Sequence, residues 1–292
     1  MSDDTVESIA KYLVRRAPAL SRLSISWFGG EPLLAMPVVR SLSRRAMSIC
    51  DEQGIQYHSA MTTNGYLLSN KILTELISLN VFDYQITLDG LAESHNKTRL
   101  SRMGKGTFER IWDNLVGMRS ITSPLLKVTV RIHYSEESYE GIPPLLSALQ
   151  KELGDDERFT FHLKTIENLG GPKASEIPKW TPGRRQEIHR QLSTLLPRPK
   201  VLRIKDYVCY AAKPNSIAIR SDGRIAKCTV DLHDPQNDLG KIDKDGYLQL
   251  DNQKLAHWLR GYLSGNDDEL TCPAHTQYVA QKIIPIFAEE EV

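Results

Sequence analysis

Residues 22–34 read RLSISWFGGEPLL, an alternating apolar segment that runs into two glycines, a glutamate and a proline. The alternation of apolar with small polar residues predicts a strand over 22–28. Amphipathic patterns on either side predict helices over 3–16 and 36–53. A strand placed between two helices is typical of an α/β fold with parallel strands.

The same alternation of strands and helices continues through the first 165 residues. Apolar runs predict four more strands, and amphipathic segments predict the helices between them. The predicted strands cover 57–62, 83–88, 126–133 and 158–165, and the predicted helices cover 69–80, 107–120 and 142–153. Five strands that alternate with helices indicate a parallel α/β sheet.

Polar residues and glycines follow three of the predicted strands. They are Gly29, Gly30, Glu31 and Pro32, then Asn64, and then Asp89 with Arg99 shortly after it. In βα-barrels the carboxyl ends of the strands form the mouth of the active site. Glu31 could receive an ammonium group and Arg99 a carboxylate, which together suit an amino-acid ligand. Asn64, Thr87 and Asp89 offer donors and acceptors for hydroxyl groups, such as those of a ribose. Each of these Gly-Gly, Asn-Gly or Asp-Gly pairs taken alone is more often an ordinary turn, and that alternative stays open here.

Two basic residues lie near the end of the strand predicted over 126–133. Arg131 alternates with the apolar Val130 and Ile132, so it could point into the barrel. A salt bridge that lines the barrel and a contact with substrate are equally good interpretations of this arginine. A histidine within a strand is more often packed or hydrogen-bonded than catalytic, and this interpretation is favoured for His133, although at the end of the strand it could also reach a substrate.

Composition excludes several functions. The chain has 292 residues, of which 40% are hydrophobic and 25% charged, and its formal net charge is +1. This net charge lacks the excess of positive residues that binding to nucleic acid or an anionic membrane needs. No apolar run reaches the ~18 residues that a transmembrane helix needs, and the N-terminus lacks the apolar core of a signal peptide. We therefore predict a cytoplasmic protein without nucleic-acid or membrane partners.

The last third of the chain changes character. Residues 168–199 hold five prolines around one predicted helix, which is typical of a joint. Short strands and turns follow, with a helix near 253–263. We predict a barrel domain over 1–167, a linker with a helix over 168–199, and a small α+β domain over 200–292. Cys209, Cys228 and Cys272 lie in this last part, and clustered cysteines in a cytosolic protein favour metal or redox chemistry.

Several of these segments resemble one known family. WFGGEPLL (27–34) resembles the Gly-Gly-Glu-Pro motif of radical S-adenosylmethionine (SAM) proteins. TTNGYLL (62–68), ITLDG (86–90) and HNKTR (95–99) are similar to segments of the subgroup that contains anaerobic sulfatase-maturating enzymes and peptide-modifying relatives. The resemblance covers about residues 1–165 in order and spacing. It implies a partial TIM-like (β/α)6 barrel that binds SAM.

The resemblance also assigns residues to the cofactor. By position, Gly29, Gly30 and Glu31, followed by Pro32, would hold the methionyl amine of SAM. Asn64, Thr87, Asp89 and Arg99 would lie near its ribose and carboxylate. The family members modify peptides or proteins and receive electrons from a reductant such as flavodoxin or ferredoxin, so these are the partners that the resemblance implies.

The C-terminal part is similar to a second family module. CYAAKPNSIAIRSDGRIAKC (209–228) resembles the opening of a SPASM domain, whose cysteines bind auxiliary 4Fe–4S clusters. The family's cysteine-rich tail continues here only as Cys272-Pro-Ala-His275. The resemblance therefore implies one candidate metal site, made of Cys209, Cys228, Cys272 and His275, for iron–sulfur or zinc.

The family's defining C-x3-C-x2-C loop, which holds the 4Fe–4S cluster that cleaves SAM, does not occur in these 292 residues. From this we expect a barrel that lacks its first strand, in an N-terminally truncated peptide- or protein-modifying enzyme that is inactive as given. The alternative is a degenerate, non-catalytic homologue that binds a peptide or a SAM-like ligand, or assists an intact partner. An unrelated βα-barrel hydrolase or isomerase is a third interpretation, but we find no metal or acid–base pair for it.

Overall fold

The computed structural model describes residues 1–166, 180–196 and 207–274. Its larger sheet has five parallel strands in the order in which they occur along the chain. They are β1 (Arg22–Trp27), β2 (Gln56–Thr63), β3 (Val81–Leu88), β4 (Lys127–Tyr134) and β5 (Phe159–Thr165). Parallel strands in sequential order, joined through helices, are the arrangement of a βα-barrel. The predicted α/β class, with a partial barrel, is confirmed.

Alternation along the strands gives this sheet two different faces. In β4 the even-numbered residues are buried, whereas the odd-numbered ones, among them Arg131 and His133, are half-buried or exposed. Strand β5 repeats the pattern, with His162 among its half-buried residues. The register places Thr87, Arg131 and His162 side by side across β3, β4 and β5. We call the side that carries Arg131, His133 and His162 the inner face.

The opposite face packs against helices in one hydrophobic core. Helices α2, α3, α5, α6 and α7 contribute to it through buried residues such as Val39, Leu76, Leu115, Leu145 and Ile188. The first seven helices are α1 (Asp3–Arg16), α2 (Met36–Gln53), α3 (Asn70–Ser78), α4 (Ala92–Thr98), α5 (Phe108–Gly117), α6 (Ile142–Leu153) and α7 (Arg184–Ser193). Among the described residues, no helix is both long and apolar enough to cross a bilayer.

The sequence pattern located all five strands to within two residues of their bounds. Helix α4 was not predicted, because its residues AESHNKT have no apolar periodicity and only His95 among them is buried. The helix predicted over 107–120 ends earlier as an α-helix, at Gly117, and continues as a 3₁₀ turn over Met118–Ser120.

Contacts divide the described chain into two compact units. One contains residues 21–166 and 180–196, and the other joins residues 1–20 to 207–274. Besides α1, the second unit holds a small antiparallel sheet and two further helices. Its elements are β6 (Ala218–Ile219), β7 (Arg224–Ala226), β8 (Gly240–Ile242), β9 (Leu248–Leu250), α8 (Asn252–Ser264) and α9 (Asp267–Thr271).

This division differs at two points from the predicted bounds 1–167, 168–199 and 200–292, because α1 groups with the C-terminal sheet and α7, predicted in the linker, groups with the larger unit. The turn between β8 and β9 meets α1 directly, since Arg15 Nε donates to Asp245 O at 2.9 Å. The Arg15 guanidinium also lies 3.9 Å from the centre of the Tyr247 ring. An amphipathic pattern predicts that a helix buries one face, but it does not say which element covers that face.

We expect Gly246→Ala to separate α1 from this turn. Gly246 has φ +79°, and a Cβ atom there would lie 2.5 Å from the backbone nitrogen of Tyr12. Both the backbone strain and the clash are unfavourable, so the free energy of unfolding should fall by more than about 2 kcal/mol. Gly265→Ala is the matched control, because Gly265 has φ +67° but open space around it, and it should cost about 1 kcal/mol. The free energies of unfolding are measured by urea unfolding. Equal losses in the two variants would contradict the contact between α1 and the turn at Gly246.

Candidate functional site

The loop after β1 leaves open space beside its backbone. Gly29 has φ +132°, a conformation that side chains other than glycine rarely adopt. Gly30 does not have a positive φ, and a Cβ atom built on it would meet nothing within 4 Å. Neither packing nor backbone conformation therefore requires glycine at position 30. The two residues are exposed and offer main chain that a ligand could approach closely.

The Glu31 carboxylate connects this loop to the end of β2. It accepts hydrogen bonds from Leu33 N at 3.0 Å, Thr63 Oγ1 at 2.8 Å and Asn64 N at 2.8 Å. Pro32 follows it as the first residue of a 3₁₀ turn. A carboxylate has about four acceptor positions, so three bonds leave room for about one more donor. An ammonium group would fit that remaining position.

Asn64 is fixed in turn by its neighbours. Its Oδ1 accepts from Tyr66 N at 2.9 Å, which leaves the amide nitrogen as the part of the side chain that can face a ligand. Asn114 of α5 donates from Nδ2 to Gly65 O at 2.8 Å and to Tyr66 O at 3.0 Å. Thr63 and Asn114 were not singled out from the sequence, because nothing in their local pattern shows that they bond to this turn.

Asp89, directly after β3, is the centre of a second group. One carboxylate oxygen is bonded to Arg99 Nε, and the other lies 3.4 Å from His133 Nδ1. Burial alone would raise the pKa of Asp89, but His133 and Arg99 together hold it well below its ordinary value. The backbone N–H of Asp89 donates to Nδ1 of His95, whose pKa is lowered to about 4 mainly by burial.

Arg131, His133 and His162 extend this second group along the inner face. Burial, together with the positive charges of Lys164 and Arg131, lowers the pKa of His162 to about 3. Burial likewise lowers the pKa of His133. These imidazoles are therefore neutral at neutral pH. The sequence located Arg131 correctly on the inner face, but it did not identify the pairing of His133 with Asp89.

The predicted cofactor residues thus fall into two bonded sets. Gly29, Gly30, Glu31, Pro32 and Asn64 are joined through the Glu31 carboxylate, and Asp89 and Arg99 are joined to each other. Thr87 is buried on the inner face beside Arg131. Since Arg99 Nε bonds to Asp89, the convergence of Glu31 and Arg99 on one amino-acid ligand stays a prediction.

The candidate metal residues lie in the second unit. Cys228 Sγ accepts N–H bonds from Val230 at 3.3 Å and Asp231 at 3.4 Å. Burial raises the pKa of Cys209 to about 11, and the nearby Cys228 and Cys272 contribute in the same direction. Over the described ranges, no group of three or more His, Cys, Asp or Glu side chains is arranged to hold a metal. His275 lies outside those ranges, so this metal site stays a prediction.

The radical SAM superfamily profile matches residues 2–146. With the parallel sheet and the Gly-Gly-Glu-Pro loop at the end of β1, this match shows that residues 2–146 belong to the radical SAM superfamily. No curated protein sequence matches the chain significantly.

Solved structures of two proteins share the fold. anSMEcpe with bound AdoMet and the Kp18Cys peptide is 14% identical, with a TM-score of 0.67, and the match covers 89% of this chain and 75% of that one. SuiB of Streptococcus suis, bound to its precursor peptide SuiA, is 15% identical, with a TM-score of 0.52 and coverage of 88% and 59%. At these identities the likeness describes the fold alone.

The neutral state of His162 predicts how stability depends on pH. Above its ordinary pKa of about 6.5 the imidazole is neutral in both states. As the pH falls towards 3, only the unfolded chain takes up this proton, because the folded pKa is about 3. This histidine should therefore remove up to about 1.4 kcal/mol of stability per pH unit over that range.

The measurement is urea unfolding of the wild type and of His162→Gln at pH values between 7 and 4.5. The variant should show a shallower loss of stability towards acid. Identical slopes for the two proteins would contradict the buried, neutral imidazole.

Proposed function

We propose that this chain belongs to a radical SAM enzyme that modifies peptides or proteins, and that its barrel binds S-adenosylmethionine. The observation that carries the proposal is the Glu31 carboxylate, which is bonded to the end of β2 and has room for about one more donor beside two exposed glycines. The superfamily match over residues 2–146 supports the same cofactor.

Each set of bonded residues has a separate role in this proposal. Glu31 receives the methionyl ammonium, and Gly29 and Gly30 let the cofactor lie against the main chain. Arg99, whose Nε is held by Asp89, has its terminal nitrogens left for the methionyl carboxylate. Asn64 and Thr87 face the ribose hydroxyls. The bound cofactor would supply a hydrogen-abstracting radical once it is reductively cleaved.

The proposed substrate is a peptide or a protein side chain. It rests on fold neighbours solved with peptides, namely anSMEcpe with Kp18Cys and SuiB with SuiA. Electrons for cofactor cleavage would come from a small reductant such as flavodoxin or ferredoxin.

Cofactor binding by the 292-residue chain tests this proposal. We expect calorimetry to detect S-adenosylmethionine binding, and we expect Glu31→Gln to weaken it by about tenfold or more, since a charge-assisted bond is lost. Glu157→Gln is the control, because Glu157 is exposed and precedes the amino end of β5, away from the mouth. Melting curves check that both variants fold. An undiminished affinity in Glu31→Gln would refute the assigned role.

The C-terminal unit would add a metal in the same proposal. Cys209, Cys228 and Cys272, with His275, would hold one auxiliary iron–sulfur cluster or one zinc ion. The two N–H bonds to Cys228 Sγ support this role, because they favour a thiolate, which is the form that binds metals. Binding would then displace the protons that burial otherwise keeps on Cys209 and Cys228.

The second candidate is a non-catalytic relative that binds peptide or a SAM-like ligand, or assists an intact enzyme. The observation in its favour is that none of the four cysteines lies in a C-x3-C-x2-C motif. Such a protein would bind the cofactor without forming 5′-deoxyadenosine under reducing conditions.

Metal analysis separates the two candidates. After anaerobic reconstitution we expect the chain to retain iron with sulfide, or zinc, and we expect Cys228→Ser to lose it. Cys50→Ser is the matched control, because Cys50 is buried in α2 of the other unit and should leave the metal content unchanged. A wild-type chain that retains neither metal would favour the non-catalytic candidate.

A further inference from the structure

Arg131 is a half-buried cation on the inner face, and part of its guanidinium has no hydrogen-bond partner. Its Nε atom is shielded from solvent and has no hydrogen-bond partner. Within the described part of the chain, no carboxylate forms an ion pair with it. A guanidinium N–H that is shielded from water and left without an acceptor is unfavourable. An anion that enters the barrel would remove that cost.

The surroundings of Arg131 supply only part of this negative charge. The nearby carboxylate, Asp89, is bonded to Arg99 and lies 3.4 Å from His133 with its other oxygen, and it forms no ion pair with Arg131. Burial lowers the pKa of Arg131, the positive charge of Arg99 acts in the same direction, and the opposing charge of Asp89 does not restore it. His162, the neighbour of Arg131 in register on β5, is neutral and can offer an N–H donor.

The internal anions of a peptide are the carboxylates of its acidic side chains, and a guanidinium fork matches a carboxylate with two parallel bonds. We propose that Arg131, with His162 beside it, binds the carboxylate of an aspartate or glutamate in the substrate peptide. This inference rests on the proposed function and narrows its substrate to peptides with an acidic residue near the modified position.

The methionyl carboxylate of the cofactor is a poorer match for Arg131. It shares one carbon atom with the ammonium group assigned to Glu31, so both must be bound close together. The Glu31 carboxylate is bonded at the end of β2 whereas Arg131 lies on β4, two strand spacings away, which is about 10 Å along the sheet. Arg99 follows β3 and is closer to Glu31 in this order. The anion that Arg131 binds is therefore not the methionyl carboxylate of the cofactor.

Matched small probes test the carboxylate site on the full chain. N-acetyl-glutamate N-methylamide and its aspartate analogue are compared with the corresponding glutamine and asparagine compounds, with and without S-adenosylmethionine. Binding is followed by the shifts of protein NMR signals during titration. We expect the acids to bind at least about tenfold more tightly than the amides, because only they make charge-assisted bonds.

Three variants test whether Arg131 causes the tighter binding of the acids than of the amides. Arg131→Gln should reduce it to less than about twofold, and Arg131→Lys should keep part of it, because lysine retains the charge without the fork. Arg102→Gln, which changes an exposed arginine in the loop after α4, should leave it unchanged. If Arg131→Gln does not fold, Arg131→Lys and the wild-type comparison still decide the question.

Equal binding of acids and amides by the wild type would overturn the inference, as would a preference that survives Arg131→Gln. A variant that loses affinity for S-adenosylmethionine but not for the acids would also overturn it, since the anion would then be the cofactor's own. A wild type that prefers the acids yet binds no S-adenosylmethionine would refute the proposed cofactor while it supports the carboxylate site.

Discussion

The carboxylate of Glu31 is the interaction on which the geometry of the barrel mouth depends. Leu33 in the loop after β1 and Leu68 in the loop after β2 are buried in the core, so packing holds part of both loops. Three hydrogen bonds to the Glu31 side chain, two of them from backbone N–H groups, then connect the polar ends of these loops at the mouth. These bonds orient the Asn64 turn towards the glycines after β1. Asn114 then holds the other side of that turn from α5.

The inner face concentrates positive charge around one acid. Asp89 is bonded to Arg99 and lies beside His133, and these two contacts hold its pKa low. Arg131 forms no ion pair with this carboxylate among the described residues, although the charge of Asp89 still acts on it. The two imidazoles cannot change this balance at neutral pH, because burial keeps them uncharged. The barrel therefore presents a field that favours anions at β4 and β5, separate from the acidic Glu31 at β1.

The strands and the residues of the mouth could be predicted from the sequence because both follow from alternation. Apolar side chains at every second position fixed which face of β4 is buried, and this also placed Arg131 on the inner face. The pairing of these residues could not be predicted, since a bond such as that of Asp89 with His133 joins different strands. The same limit explains α1, whose apolar stripe was evident but whose covering turn, near Tyr247, lies more than 200 residues away. Helix α4 was missed because its single buried residue, His95, leaves no period to detect.

Glycines in the mouth show how an ordinary turn differs from a surface built for a ligand. Gly65 has φ +78°, and a Cβ atom there would lie 2.9 Å from Ile86 Cγ2, so the fold itself requires glycine. A turn is a sufficient explanation for that residue. Gly30 has neither a positive φ nor a neighbour within 4 Å, so folding does not explain the missing side chain. It lies next to Glu31, whose carboxylate has room for about one more donor. Open backbone beside an acceptor with spare capacity is the arrangement that a ligand with an ammonium group needs.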